Sequence, residues 1–155
     1  MITNSKKAQL QELKIDVKFR LSALWVVLMF CYTYADILGF YAPGNLEELI
    51  LGEIAGIQMT QGLLFGSAVL MVIPSVMVFL SLALKAKPNR LVNIIVGIVY
   101  MAVLGSTFLT GRNPAYYLFL AIGKATVIAL IVWHAAKWPK KESDTKSTLS
   151  TTLGV

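Results

Sequence analysis

The sequence predicts an all-α membrane protein: a four-transmembrane-helix antiparallel bundle with an extra interfacial helix in the first outer loop. Of its 155 residues, 57% are hydrophobic and only 14% are charged, whereas soluble domains carry about 25% charged residues. Four apolar runs reach the roughly 20 residues that a helix needs to cross about 30 Å of hydrocarbon. These predicted spans cover about 21–40, 61–84, 91–109 and 115–138.

The distribution of basic residues predicts the orientation of the spans. Twelve of the fourteen Lys and Arg residues lie before the first run, between the second and third runs, or at and after the end of the fourth. Positive residues accumulate in the cytoplasmic connections of membrane proteins. Both termini are therefore expected in the cytoplasm. We interpret the net charge of +6 as favouring contact with a membrane surface, and we expect no nucleic-acid partner.

Two polar segments flank the predicted transmembrane domain, 21–138. Residues 1–20 form a basic cytoplasmic segment, amphipathic because Leu10, Leu13 and Val17 share a helical face. Residues 139–155 are rich in Ser and Thr and are expected to be a disordered cytoplasmic tail. A cleaved signal peptide is the alternative for the first run. Its length and the absence of a small-residue cleavage site favour a retained span.

The first outer connection, YAPGNLEELILGEIAGIQMT, is longer than a simple loop and contains a helix signal. Asn45 followed by Glu48 resembles a capping box, and the apolar residues after it have helical spacing. This pattern predicts an interfacial helix over about 46–57. A helix running directly into the second span is the alternative. It would need a break near 59–62, because one helix from 46 to 84 would be about 58 Å long.

Asp36 and Lys124 are ionisable residues inside predicted spans. A charge in hydrocarbon costs about 2.5–3.5 kcal/mol on insertion scales, so each needs a partner or an escape to the interface. Both lie in the outer half of the membrane, so their charged ends can meet if the first and fourth helices touch. We expect an ion pair, either structural or used to bind a ligand. Alternatively, Asp36 faces the outer headgroups and Lys124 extends to the interface without a partner.

Other polar side chains share this half of the predicted bundle. They serve either as polar contacts between helices or as the lining of an outward-opening polar cavity. Glu53, in the outer connection, is a further candidate partner for Lys124. The candidate lining residues are Tyr32, Gln61, Tyr100, Thr107, Tyr117 and Glu53.

Two backbone features modify this plan. Pro74 lacks an N–H and should kink the second span, with Ser75 as a candidate donor for the freed carbonyl. The patterns Gly52-x-x-x-Gly56 and Gly62-x-x-x-Gly66 permit close helix approach. They leave open a homodimer or another membrane-protein partner.

Motifs of familiar enzyme chemistry are not found in the sequence. It contains no GxSxG, no phosphate-binding glycine loop, no HExxH and no CxxC. The single histidine, His134, and the single cysteine, Cys31, give no metal-ligand set. We therefore expect no catalytic residues, no bound metal and no cofactor, and we interpret the chain as non-enzymatic.

The run KFRLSALWVVLMFCYTYADILGFY, the motif GRNPAYY and the four-span plan resemble a family of small bacterial inner-membrane proteins known as a domain of unknown function. The general plan is also similar to DoxX-like four-helix proteins. The resemblance covers about 17–138. It implies a multi-pass protein of the bacterial cytoplasmic membrane with a four-helix bundle. It implies no activity.

Three functions fit the sequence. The first is a non-enzymatic protein that binds a small amphipathic ligand or acts as an accessory subunit, with a polar outer-half cavity. The second is a small proton-coupled transporter, as a monomer or a dimer, since small multidrug exporters resemble the chain in size and in carrying an acidic residue in the first span. The third is a membrane enzyme that acts on a lipid-like substrate with Asp36 as acid or base.

Overall fold

The computed structural model describes residues 15–54, 56–110 and 114–139. The described chain forms α1 (Val17–Tyr41), α2 (Asn45–Ile50), β1 (Glu53–Ile54), β2 (Ile57–Gln58), α3 (Gln61–Ala83), α4 (Ala86–Thr107), a 3-10 turn (Phe108–Thr110) and α5 (Ala115–Ala136). Four of these helices, α1, α3, α4 and α5, are long and apolar enough to cross a membrane. The predicted all-α, four-helix membrane bundle is confirmed.

The helix boundaries differ from the predicted spans mainly at their basic ends. α1 begins at Val17 because the Asp16 side chain accepts a hydrogen bond from the backbone N–H of Lys18 at 2.8 Å. The end of the predicted N-terminal segment therefore belongs to the first span. α4 begins at Ala86, so the sequence KPNR forms its first turn instead of a loop. Residues 1–14 and 140–155, which hold most of both predicted flanking segments, lie outside the described residues.

Only the first half of the predicted interfacial helix over 46–57 is helical, so the predicted end of this helix is wrong. α2 ends at Ile50, and a two-stranded antiparallel hairpin pairs Glu53 with Gln58 and Ile54 with Ile57. Gly52 and Gly56 both have φ of 77°, in the left-handed region that favours glycine. These glycines turn the chain out of the helix, so this pattern is a pair of turn positions and not a helix-packing motif.

Hydrogen bonds fix both ends of the outer segment. The Asn45 side-chain amide donates to the carbonyl of Gly39 at 3.0 Å and thereby ties α2 to the end of α1. The Thr60 hydroxyl accepts from the N–H of Leu63 at 3.2 Å and caps α3. The outer segment is thus separated from α3 at Met59 and Thr60, and a continuous helix from 46 to 84 is not formed.

The helices pack in the order α3–α1–α5–α4. α1 contacts both α3 and α5, and α5 contacts α4, whereas α3 and α4 touch only sparsely. We call the side of α2 and the strands the hairpin end, and the side of the α3–α4 connection the terminal end. Trp25 of α1 and Tyr100 of α4 meet edge to face across the bundle centre, with ring centroids 6.0 Å apart.

A polar cluster closes α3 against α4 at the terminal end. Asn93 accepts from the Trp25 indole N–H at 2.7 Å and donates to the Asn89 side-chain oxygen at 2.7 Å. Asn89 in turn donates to the Ser81 carbonyl at 2.6 Å. Asn89, Asn93 and Ser81 are 0% exposed. The cluster satisfies amides that hydrocarbon would leave unpaired.

Tyr100 supplies a hydrogen bond that Pro74 removes from α3. Proline has no N–H, so the carbonyl four residues earlier, that of Leu70, loses its helical donor. The Tyr100 hydroxyl donates a hydrogen bond to this Leu70 carbonyl. The candidate donor Ser75 instead bonds the Met71 carbonyl at 2.9 Å. A side chain of α4 therefore supplies the donor that the sequence of α3 lacks.

We expect Tyr100→Phe to destabilise the protein only while residue 74 is a proline. Losing the hydroxyl leaves the Leu70 carbonyl unpaired, at a cost of about 1–3 kcal/mol. Pro74→Ala restores an N–H, so in that background Tyr100→Phe should cost less. Thermal unfolding in detergent micelles of wild type, both single variants and the double variant measures this coupling. Equal costs of Tyr100→Phe in the two backgrounds would contradict the assignment.

Candidate ligand-binding site around Lys124

Lys124 lies inside the bundle and not at its surface. It is nine residues into α5, about 14 Å from the start of that helix at 1.5 Å per residue, and it is only 2% exposed. Its Nζ lies 4.4 Å from the centroid of the Tyr32 ring and 5.0 Å from that of Tyr117. Both separations are within the range of cation–π attraction, which strengthens in a desolvated site.

The Lys124 ammonium has ring faces around it but no hydrogen-bond acceptor in the described part of the chain. An ammonium carries three N–H donors, and among the described residues the fully buried polar side-chain atom without a partner is the Tyr32 hydroxyl, not the Lys124 Nζ. The two tyrosine faces stabilise the charge and leave the donors unused.

Asp36 is near Lys124 but does not touch it. The two side chains are within electrostatic range of each other, yet no ion pair joins them in the described part of the chain. Asp36 is exposed, five residues before the end of α1. The direct contact that we expected is thus replaced by the Tyr32 and Tyr117 rings. A structural or ligand-binding role for the two charges stays a prediction.

Tyr32 connects the cation to the centre of the bundle. One ring contact is with the Lys124 ammonium, and the other is an edge-to-face contact with Tyr100, with centroids 6.1 Å apart and an interplanar angle of 81°. The Tyr32 hydroxyl is buried and has no hydrogen-bond partner in the described structure. An unpartnered buried hydroxyl is uncommon and calls for an explanation.

A cavity of about 100 Å³ adjoins Tyr32 between α3 and α4. Its walls combine two phenol rings, one hydroxyl and three apolar side chains. The lining residues are Tyr32, Ser67, Leu70, Met71, Tyr100 and Val103.

Two of the six residues predicted to line a cavity, Tyr32 and Tyr100, line this one. Tyr117 is not a lining residue, but its ring lies against the Lys124 ammonium. Gln61 is exposed at the start of α3, Thr107 donates to the Leu104 carbonyl at 2.7 Å, and Glu53 accepts from Gln58 in the hairpin at 2.6 Å. These three are not among the residues that line the cavity.

Four lining residues were missed by sequence reasoning. Ser67, Leu70, Met71 and Val103 carry no charge and look like ordinary membrane-span residues. The only signal was Pro74, which frees the Leu70 carbonyl and so requires a donor from another helix. Tyr100 is that donor, and the contact places these stretches of α3 and α4 side by side.

Metal ligation finds no support in the geometry of the described residues. No group of three or more His, Cys, Asp or Glu side chains among them is arranged to hold a metal ion. The His134 ring nitrogen Nδ1 lies 2.8 Å from the Leu130 carbonyl of its own helix. That contact ties the ring to the surface of α5.

Comparison with known proteins places the chain in a family without assigning it an activity. A family model described as "Family of unknown function (DUF6326)" matches residues 9–145. No curated protein and no solved structure matches the chain. A likeness to DoxX proteins is not shown. Because the match covers most of the sequence, the chain belongs to this family of unknown function, as a protein with four helices compatible with a multi-pass membrane fold.

Proposed function

We propose that this protein is a non-enzymatic membrane protein that binds a small anionic, amphipathic ligand in the hairpin-end half of its bundle. The observation that carries the proposal is the buried Lys124 side chain, whose ammonium lies against the faces of Tyr32 and Tyr117 and bonds to no acceptor oxygen among the described residues. The N–H donors and the positive charge of this ammonium are complementary to a carboxylate or phosphate group.

The electrostatics favour an anion beside Tyr32. A ligand anion beside the Tyr32 and Tyr117 rings is attracted by the Lys124 charge that these two rings flank. At a separation of about 7 Å and an effective dielectric constant of about 20, the attraction is about 2 kcal/mol, or about 30-fold in affinity. Asp36 lies within electrostatic range of Lys124 and opposes this field.

The proposal is tested with octanoate as the probe, titrated calorimetrically into the protein in phosphatidylcholine nanodiscs with empty nanodiscs as reference. We expect Lys124→Met, which keeps the bulk of the side chain, to weaken binding about 30-fold. Lys137→Met is the matched control, because Lys137 ends the same helix in a cation–π contact 3.8 Å from the Trp133 centroid but is exposed. Equal octanoate affinity in wild type and folded Lys124→Met would overturn the proposal.

A proton-coupled transporter is the second candidate, favoured by the electrostatic range between Asp36 and Lys124. The two functions predict opposite results for Asp36→Asn. If the site binds anions, removing the carboxylate should tighten octanoate binding. If Asp36 carries a transported proton, the variant should lose substrate-dependent proton flux in proteoliposomes and leave octanoate binding unchanged.

The cellular setting belongs to the same proposal. The concentration of basic residues at the terminal end favours a bacterial cytoplasmic membrane with both termini in the cytoplasm. The hairpin end, with the ligand site beneath it, would then face outward. Accessibility of single cysteines introduced at Leu51 and Pro139 to a membrane-impermeant maleimide, in a Cys31→Ser background, tests this orientation.

A further inference from the structure

The two helices that meet at the ligand site, α1 and α5, carry charges of opposite sign at different distances from the hairpin end. Tyr32 and Asp36 are four residues apart on α1, so they share one face, and Asp36 lies about 6 Å nearer the hairpin end. The Lys124 ammonium of α5 lies 4.4 Å from the centroid of the Tyr32 ring. The positive charge is therefore inside the bundle beside Tyr32, and the exposed carboxylate lies about one helical turn closer to the hairpin end.

These two charges attract each other without being joined. They are within electrostatic range, and no ion pair connects them in the described part of the chain. Neither the Asp36 carboxylate nor the Lys124 ammonium has a hydrogen-bond partner among the residues that the structure describes. An ammonium offers only donors and a carboxylate only acceptors. The site thus presents one unused group of each kind.

We infer that the anionic group of the ligand is part of a zwitterion: an amphiphile with a cationic nitrogen a few bonds from its carboxylate, as in an amino acid with an apolar side chain. This inference rests on the proposed function and adds the class of ligand and a role for Asp36. The carboxylate of the ligand binds the Lys124 ammonium, and the ammonium of the ligand binds the Asp36 carboxylate. Its apolar part suits a site built within membrane-spanning helices.

The arrangement of charges discriminates between classes of ligand. A simple anion is attracted by Lys124 and repelled by Asp36, and a simple cation meets the reverse. A zwitterion that lies along the two charges is attracted at both ends, and it brings no net charge into a site of low dielectric constant. Charge complementarity of this kind contributes more to the choice of partner than to total affinity. Asp36 and Lys124 together therefore favour a dipolar ligand.

The test compares probes that share an eight-carbon chain, titrated calorimetrically at pH 7 into the full-length protein in phosphatidylcholine nanodiscs. We expect wild type to bind 2-aminooctanoate about fivefold more tightly than 2-hydroxyoctanoate, because an exposed ion pair contributes up to about this factor. The hydroxyl keeps a polar group at the same carbon without the charge. In 8-aminooctanoate the ammonium is at the far end of the chain, so this probe should bind no more tightly than octanoate.

Asp36→Asn should change the affinities of two probes in opposite directions. Binding of 2-aminooctanoate should weaken about fivefold, because its ammonium loses the carboxylate. Octanoate should bind more tightly, because the repulsion is gone. Glu47→Gln is the matched control: Glu47 is an exposed acidic residue in the first turn of α2, at the same end of the bundle. We expect that variant to leave both affinities unchanged.

The outcomes separate this inference from the proposed function. If Lys124→Met weakens octanoate binding but wild type binds 2-aminooctanoate no more tightly than 2-hydroxyoctanoate, the anion site stands and the zwitterion class is wrong. The same conclusion follows if folded Asp36→Asn weakens octanoate and 2-aminooctanoate equally. If Lys124→Met leaves the affinity of both probes unchanged, the proposed function fails, and the inference that rests on it fails too.

Discussion

Gly97→Ala is expected to destabilise the contact between α4 and α5, although alanine is the better helix former. A Cβ at residue 97 would lie 2.7 Å from the Val132 Cγ2 atom and 4.0 Å from Cγ2 atoms of Ile128 and Ile131. Val132 is β-branched and has few alternative rotamers in a helix, so the backbones must move apart. Overpacking of this kind costs about 1–3 kcal/mol.

Gly105→Ala provides the matched control for this substitution. It lies on the same helix and gains the same helix propensity, about 1 kcal/mol, but a Cβ there meets nothing within 4 Å. We expect Gly105→Ala to leave the thermal midpoint in micelles unchanged or raised, and Gly97→Ala to lower it. Val132→Ala should restore part of the loss in the Gly97→Ala background. The same midpoint for both alanine variants would show that the close approach of α4 and α5 at residue 97 does not affect stability.

Asn93→Leu is expected to have a still larger effect on stability. The substitution keeps the number and branching of the side-chain heavy atoms but removes the acceptor of the Trp25 indole and the donor to Asn89. It also leaves the Ser81 hydroxyl with no acceptor on residue 93. Hydrogen bonds between transmembrane helices average about 0.6 kcal/mol, whereas an unpaired buried group costs about 1–3 kcal/mol. Three groups lose a partner, so we expect a loss of about 2–5 kcal/mol.

Trp25→Phe in the Asn93→Leu background distinguishes unpaired groups from simple loss of packing. It removes the indole N–H that has lost its acceptor, and stability should partly recover. Ser106→Ala is the neutral control, because the Ser106 hydroxyl bonds only to Val103 of its own helix at 2.7 Å. Unfolding of each variant is followed by circular dichroism and size-exclusion chromatography. A midpoint for Asn93→Leu equal to that of wild type would falsify a stabilising role for the polar cluster.

Several features of the site were predictable because they depend on position along the chain. Lys124 was identified as unusual because an ammonium within an apolar run requires an explanation wherever the run packs. Tyr32, Tyr100 and Tyr117 were grouped with it by depth, and all three lie in or beside the site. By contrast, depth alone also selected Gln61, Thr107 and Glu53, which are not among the residues that line the cavity.

The helix in the outer connection was also predicted only in part. A helix does begin here, at Asn45, but the predicted capping box is not formed, because the N-cap is Gly44 without a side-chain cap hydrogen bond and the Asn45 amide donates to the Gly39 carbonyl. The end of that helix was wrong because Gly52 and Gly56 are compatible with both a helix and a turn. The hairpin pairing of Glu53 with Gln58 decided between these conformations.

The sequence alone determined that this chain has four membrane-crossing helices and where each one lies. Transfer into hydrocarbon depends on the composition and length of a continuous segment, and neither changes on folding. Only the tertiary structure decided which side chains meet, because contact also requires the rotation of each helix about its axis. Packing of α1 on α5 set that rotation, with the rings of Tyr32 and Tyr117 against the Lys124 ammonium and the Asp36 carboxylate left exposed.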